Sequence, residues 1–152
     1  MNEDLILIQD PIEYVDKWDY PYFSMKEMVC KHSNFLGYDE RFMDSLVALR
    51  EKCGFGFPVT SYYRHGDPTD LENCHPIERK KIEATGKCGS HGSGKAIDIG
   101  VDRERAFILL KTAIDMGVFT GIGVNQKGSS RFIHLDTCLA SDGFARPTIW
   151  SY

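Results

Sequence analysis

The segment Gly89-Ser90-His91-Gly92-Ser93-Gly94-Lys95-Ala96-Ile97-Asp98 constrains the fold more than any other stretch of the chain. Glycines at 92 and 94 let backbones approach closely and leave His91 on a tight loop. Residues 95–101 then alternate as a buried strand, so His91 and Asp98 can point to one place. The next residues read as a helix opened by Asp102, with Ala106, Leu109, Leu110, Ala113 and Met116 on one side and Gly117 as its stop. Residues 121–124 and 131–135 read as two strands, joined into a hairpin by the turn-rich 125–130.

Upstream, the pattern is mainly helical. Ser24 with Glu27 three residues on is a capping-box pattern and predicts a short helix over 23–31, with Cys30 in the core. Asp39 opens a stronger helix through Phe42, Met43, Leu46, Val47, Leu49, Arg50 and Cys53, ended by Gly54 and Gly56. A β-rich stretch, 58–63, follows and delivers Arg64 to its far end; Tyr62 and Tyr63 should face opposite ways, one into the core. Residues 65–90 read as a long insertion with a polar helix near 76–84, and loops of that length are usually functional or disordered. Residues 1–22 read as an irregular arm packed on the domain, and Trp150 and Tyr152 in the tail 147–152 as caps on the core. The expected fold is α+β: one domain, 23–152, with a small, mostly antiparallel sheet and helices packed on its outer side.

Composition excludes several functions. With 18 Lys plus Arg against 22 Asp plus Glu, the formal charge is -4, which gives no global cationic field for nucleic acid. Apolar runs such as 5–8 and 107–110 fall far short of the about 20 residues a membrane span needs. The acidic start and Pro11 do not read as an export signal. Five cysteines, at 30, 53, 74, 88 and 138, are an odd number and are expected as reduced thiols, with Cys74–Cys88 the candidate pair for a disulfide in an oxidising medium.

His91, Asp98 and His134 are the candidate metal ligands. Two imidazoles and one carboxylate leave a fourth position open, the arrangement of catalytic zinc. Taken singly, Asp98 reads equally as a cap on the glycine-rich turn and His134 as a satisfied core histidine. A rival metal set is Cys74, His75, Cys88 and His91, whose last two have zinc-knuckle spacing. His65 belongs on a solvated loop, and His32 and His75 at the surface.

Over residues 23–136 the chain resembles the D-alanyl-D-alanine metallopeptidase family of zinc peptidases, which includes phage endolysin domains. His91, Gly94, Ala96 and Asp98 match the pattern S-x-H-x-x-G-x-A-x-D, and His134 matches the downstream strand ligand. Phe23 to Glu27, the helix with Leu46, Leu49 and Arg50, and Thr60 to Arg64 resemble the family's beginning. The pattern's serine falls where this chain has Gly89. The resemblance implies Zn2+ bound by His91, Asp98 and His134, polarising the scissile carbonyl and activating water. It implies hydrolysis of bacterial peptidoglycan stem peptides by a monomer that binds neither nucleic acid nor membrane. Arg64 is expected to hold substrate carboxylate or carbonyl oxygens, with Ser90 beside it.

The family's usual base positions hold Arg131 and Phe132. Asp136 shares a strand face with His134 and is expected as the base; the alternative is that it orients His134 or caps the strand. Arg131 either stabilises an oxyanion or faces solvent. The implied setting is a phage or prophage lysin, made in the host cytoplasm and reaching the wall by holin-type release or particle delivery. A non-catalytic zinc-containing binding domain is the alternative, since hedgehog signalling domains resemble the same fold.

Overall fold

The computed structural model describes residues 4–152; the first three, with most of the acidic start, lie outside that range. The arm is more regular than its sequence suggests. Its apolar run forms β1 (Ile6–Ile8), which pairs antiparallel with β2 (Leu36–Tyr38) and so satisfies its backbone groups. Gly37 lies under the Tyr63 ring, where any Cβ would overlap the aromatic carbons. After α1 (Pro11–Tyr14), Trp18 donates from Nε1 to the Phe23 carbonyl at 2.6 Å, tying the arm to the domain.

α2 (Met25–Met28) is shorter than expected, because Val29 is already extended, but its start is as read: Glu27 Oε2 accepts from Ser24 N at 2.9 Å. Cys30 is fully buried. α3 (Glu40–Cys53) begins where Asp39 accepts from Phe42 N at 2.8 Å and ends at Gly54 with φ +74°. β3 (Val59–Ser61) is cut short, and Tyr62 and Tyr63 both turn inward at 1% and 2% exposure, so the expected alternation fails there. Each buried phenol has its own partner: Tyr62 donates to Gly94 O at 2.6 Å, and Tyr63 meets His65 Nδ1 at 2.8 Å.

The insertion carries α4 (Pro76–Thr85), ended by Gly86. A tight 3-10 turn over Ser90–Ser93 then leads into β4 (Ala96–Ile99), α5 (Arg103–Met116), β5 (Gly121–Asn125) and β6 (Phe132–Asp136). β5 and β6 form the expected hairpin. A further strand, β7 (Thr148–Ser151), pairs parallel with β5, so the tail is a sheet edge and not a cap on the core. The strand order is β3-β4-β6-β5-β7, antiparallel except for that last pair. The fold is α+β. Ile97, Ile99, Ile133 and Leu135 point to the core with Phe42, Leu46, Leu49 and Leu109 of the two long helices. By the two-residue period of a strand, Asp98, His134 and Asp136 point to the other face. No helix among the described residues is long and apolar enough to cross a membrane.

Candidate metal centre

The register of β4 on β6 places Asp98 directly opposite His134, and Asp98 Oδ1 lies 3.0 Å from His134 Nδ1. The turn before β4 brings His91 to the same oxygen, with Nε2 at 3.3 Å. One ligand atom from each residue lies within 4.8 Å of the others, and this is the one such group of His, Cys, Asp or Glu among the described residues. All three are buried, at 4%, 7% and 3% exposure. Asp98 therefore does not cap the glycine-rich turn. The rival set of Cys74, His75, Cys88 and His91 does not assemble, and all five cysteines are free.

The rear nitrogen of each imidazole is held from behind. His91 Nδ1 is 2.7 Å from the Tyr62 carbonyl, and a carbonyl only accepts, so Nδ1 carries a proton and Nε2 turns its lone pair inward. His134 Nε2 is 2.7 Å from Asp136 Oδ2, which fixes the proton there and leaves Nδ1 facing Asp98. Three acceptors thus converge, and they are compatible only with positive charge between them: a proton on an imidazole or a cation. The electrostatics agree. Burial alone would raise the Asp98 carboxyl, but hydrogen bonds and charge from His134 and His91 hold it well below the carboxylate range. Burial alone would lower His134, yet Asp136 and Asp98 raise it. The three side chains could hold a metal ion.

Asp136 lies behind the His134 ring, on the edge away from Asp98. It is fully buried. Arg146 grips it through Nε at 2.9 Å and Nη2 at 2.7 Å, and Cys138 N donates at 3.2 Å. Burial would raise its carboxyl, but His134 and Arg146 bring it down to about 2. A carboxylate so held orients its histidine and has no free face towards the cleft. The glycines of β5 make room for this: a Cβ on Gly121 would overlap the Asp136 carboxylate, and one on Gly123 would overlap the Trp150 indole.

The metal group lines a cleft of about 540 Å³. Arg64 and Ser90 both line it, as expected. Arg64 reaches Asp98 Oδ2 at 3.5 Å through Nη2 and is braced by Ser61 Oγ at 3.1 Å from Nε. Arg131 is half-buried and lies elsewhere, donating to Gly128 O at 3.0 Å in the hairpin turn. His65 is buried at 1% exposure between Tyr63 and Asp70, not solvated on a loop. His75 is half-buried and accepts from Ile77 N at the start of α4, and His32 is exposed.

Sequence reasoning missed the wall of the cleft. Trp150 lies 5.1 Å from His134 between ring centres, and Tyr152 lies 5.0 Å from Phe132. The spacing of Trp150 and Tyr152, two apart in a β-rich tail, was the signal that both share a face. Arg146 carried no such signal, because its role depends on a loop return 10 residues after Asp136. Comparison with protein-family models, with curated proteins and with solved structures finds no match to this chain.

Proposed function

We propose that this chain is a zinc-dependent peptidase of bacterial peptidoglycan stem peptides, a D-Ala-D-Ala carboxypeptidase or an endolysin-type endopeptidase encoded by a phage or prophage. The observation that carries the reading is the convergence of His91 Nε2, Asp98 Oδ1 and His134 Nδ1 in a cleft, with each histidine fixed from behind. The stem-peptide substrate and the viral setting rest on the sequence resemblance. His91, Asp98 and His134 would hold the zinc ion, which would supply Lewis-acid chemistry for polarising a carbonyl and acidifying water. The Tyr62 carbonyl and Asp136 keep the two imidazoles in their binding tautomers. Arg64, at the cleft surface beside Asp98, holds the substrate's carboxylate or carbonyl oxygens with its planar fork. Trp150 flanks His134 at the wall of the cleft.

One observation favours a second reading. Among the described residues Asp98 is the only side-chain carboxylate lining the cleft, and it belongs to the metal group, so none of them leaves a second carboxylate there to take a proton. A non-catalytic, zinc-containing peptide-binding domain accounts for that. The deciding experiment digests purified peptidoglycan with metal-loaded protein and identifies products by mass, with His91→Ala alongside. Cleavage by the wild type that is lost in the variant supports the peptidase; one bound metal ion with no cleavage product transfers the site to the binding reading.

A further inference from the structure

The charge of the cleft is opposite to that of the chain. Although acidic residues outnumber basic ones by 22 to 18, the cleft is lined by Arg64, Lys81, Lys87 and Arg146, with Asp98 as its one side-chain carboxylate among the described residues. Three of these cations face a carboxylate: Arg64 approaches Asp98 at 3.5 Å, Arg146 is clamped on Asp136, and Lys81 stands beside Glu78, while Lys87 faces none among the described residues. The two lysines come from the insertion, and each is held in place without losing its reach. Lys81, on α4, stands 3.6 Å from Oε2 of the fully buried Glu78, while its own side chain is 45% exposed. The other oxygen of Glu78 accepts from Gly89 N at 2.8 Å, two residues before His91, so α4 and the metal-bearing turn are one rigid wall.

Lys87 crosses to the opposite wall. Its Nζ donates to Gly143 O at 2.6 Å and lies 5.1 Å from the centre of the Phe144 ring. A carbonyl and a ring face orient an ammonium without neutralising it, and two of its three donors remain. The backbone is shaped around this contact: Gly143 has φ +87°, and a Cβ there would overlap Nζ.

We propose that Lys81 and Lys87 form an anion subsite, separate from Arg64, that selects acidic peptides carrying a second carboxylate away from the bond at the metal. Ammonium groups act as point charges and need no fork geometry, so each can meet a carboxylate from any direction. Low-dielectric walls focus their field, and the aromatic side of the cleft supplies such walls. The net charge of -4 would repel an anionic ligand at long range, whereas the cleft attracts it at short range. This substrate class rests on the peptidase reading only for cleavage, not for binding.

The test uses the whole chain and two synthetic stem pentapeptides, L-Ala-γ-D-Glu-L-Lys-D-Ala-D-Ala and its D-isoglutamine twin, which differ by one carboxylate against a carboxamide. Dissociation constants are measured by calorimetry at low and moderate salt, for wild type, Lys81→Met with Lys87→Met, and Lys111→Met, a control on α5 outside the cleft lining. The wild type should prefer the acid by about fivefold, as partly exposed ion pairs give, with the preference shrinking in salt. The double variant should bind both peptides alike, and the control should keep the preference. Equal binding of both peptides by the wild type, discrimination that survives in the double variant, or binding of neither peptide overturns the subsite. Cleavage is scored separately: discrimination without cleavage sustains the subsite and overturns the peptidase.

Discussion

Arg146 and Asp136 are joined by two parallel hydrogen bonds, at 2.9 and 2.7 Å, and the second carboxylate oxygen also takes the Nε2 proton of His134. A chain of contacts thus runs from the C-terminal segment to the metal-facing nitrogen of a histidine in the middle of the sheet. Ion pairs of this kind are costly to break on one side only, because the remaining charge stays buried.

Arg146→Met should therefore destabilise the protein by about 3 kcal/mol, and metal affinity should fall about 10-fold or more as the His134 ring loses its anchor. Asp136→Asn should weaken metal binding as well. Urea unfolding and competition with a chromophoric chelator read the two effects. Asp136→Asn with unaltered metal affinity and lost turnover would restore Asp136 as a base.

Gly121→Ala should mimic that loss without touching a polar group, since the new methyl must displace the Asp136 carboxylate that Arg146 holds in place. Gly128→Ala, at a turn glycine with open space around its Cβ position, bears only the strain of φ +67°. Chelator competition should show weaker metal binding in the first and wild-type binding in the second.

Trp150 reports on the centre. With its ring 5.1 Å from His134, its fluorescence should be quenched by bound Co2+, and His134→Ala should abolish the saturable quenching. In a Trp18→Phe background, which removes the other indole, most of the signal should respond. No change on titration to one equivalent would show that metal does not bind beside His134.

Cys88 and Cys138 should be inert at neutral pH. Burial, then the charge of Glu78, pushes the Cys88 thiol up to about 11; burial, then Asp136, pushes Cys138 up to about 12. Because these folded values lie above the ordinary 9.0, their contribution to stability is complete below that pH and is lost as pH rises through 11 to 12. Native-state alkylation followed by mass should leave both unlabelled at pH 8, and melting temperature should fall above pH 9. Fast labelling of either at pH 8 would contradict the burial.

Cleft-wall support from the insertion is testable through Glu78→Ala. Removing a fully buried acceptor strands the Gly89 amide, which should cost about 2 kcal/mol and loosen the turn carrying His91. Hydrogen exchange at Gly89 and its neighbours should accelerate while α5 is unaffected.

What the sequence determined by itself was local. Asp39, Gly54, Ser24 and Gly117 mark helix ends because caps act within a turn of the backbone, and the alternation around Asp98 and His134 marks strands because side chains flip with a period of two. The grouping of His91, Asp98 and His134 was legible for the same reason: a glycine-bounded histidine, an aspartate in the following strand and a histidine in a second strand need only one pairing to meet. Tertiary structure alone decided that pairing, the Asp98–His134 register, and with it which nitrogen of each ring faces inward. It also decided that Asp136 faces Arg146 rather than the cleft, that the tail becomes β7 with Trp150 on the centre, and that Lys87 reaches Gly143. Those contacts join residues by register and loop return, and neither leaves a period in the sequence.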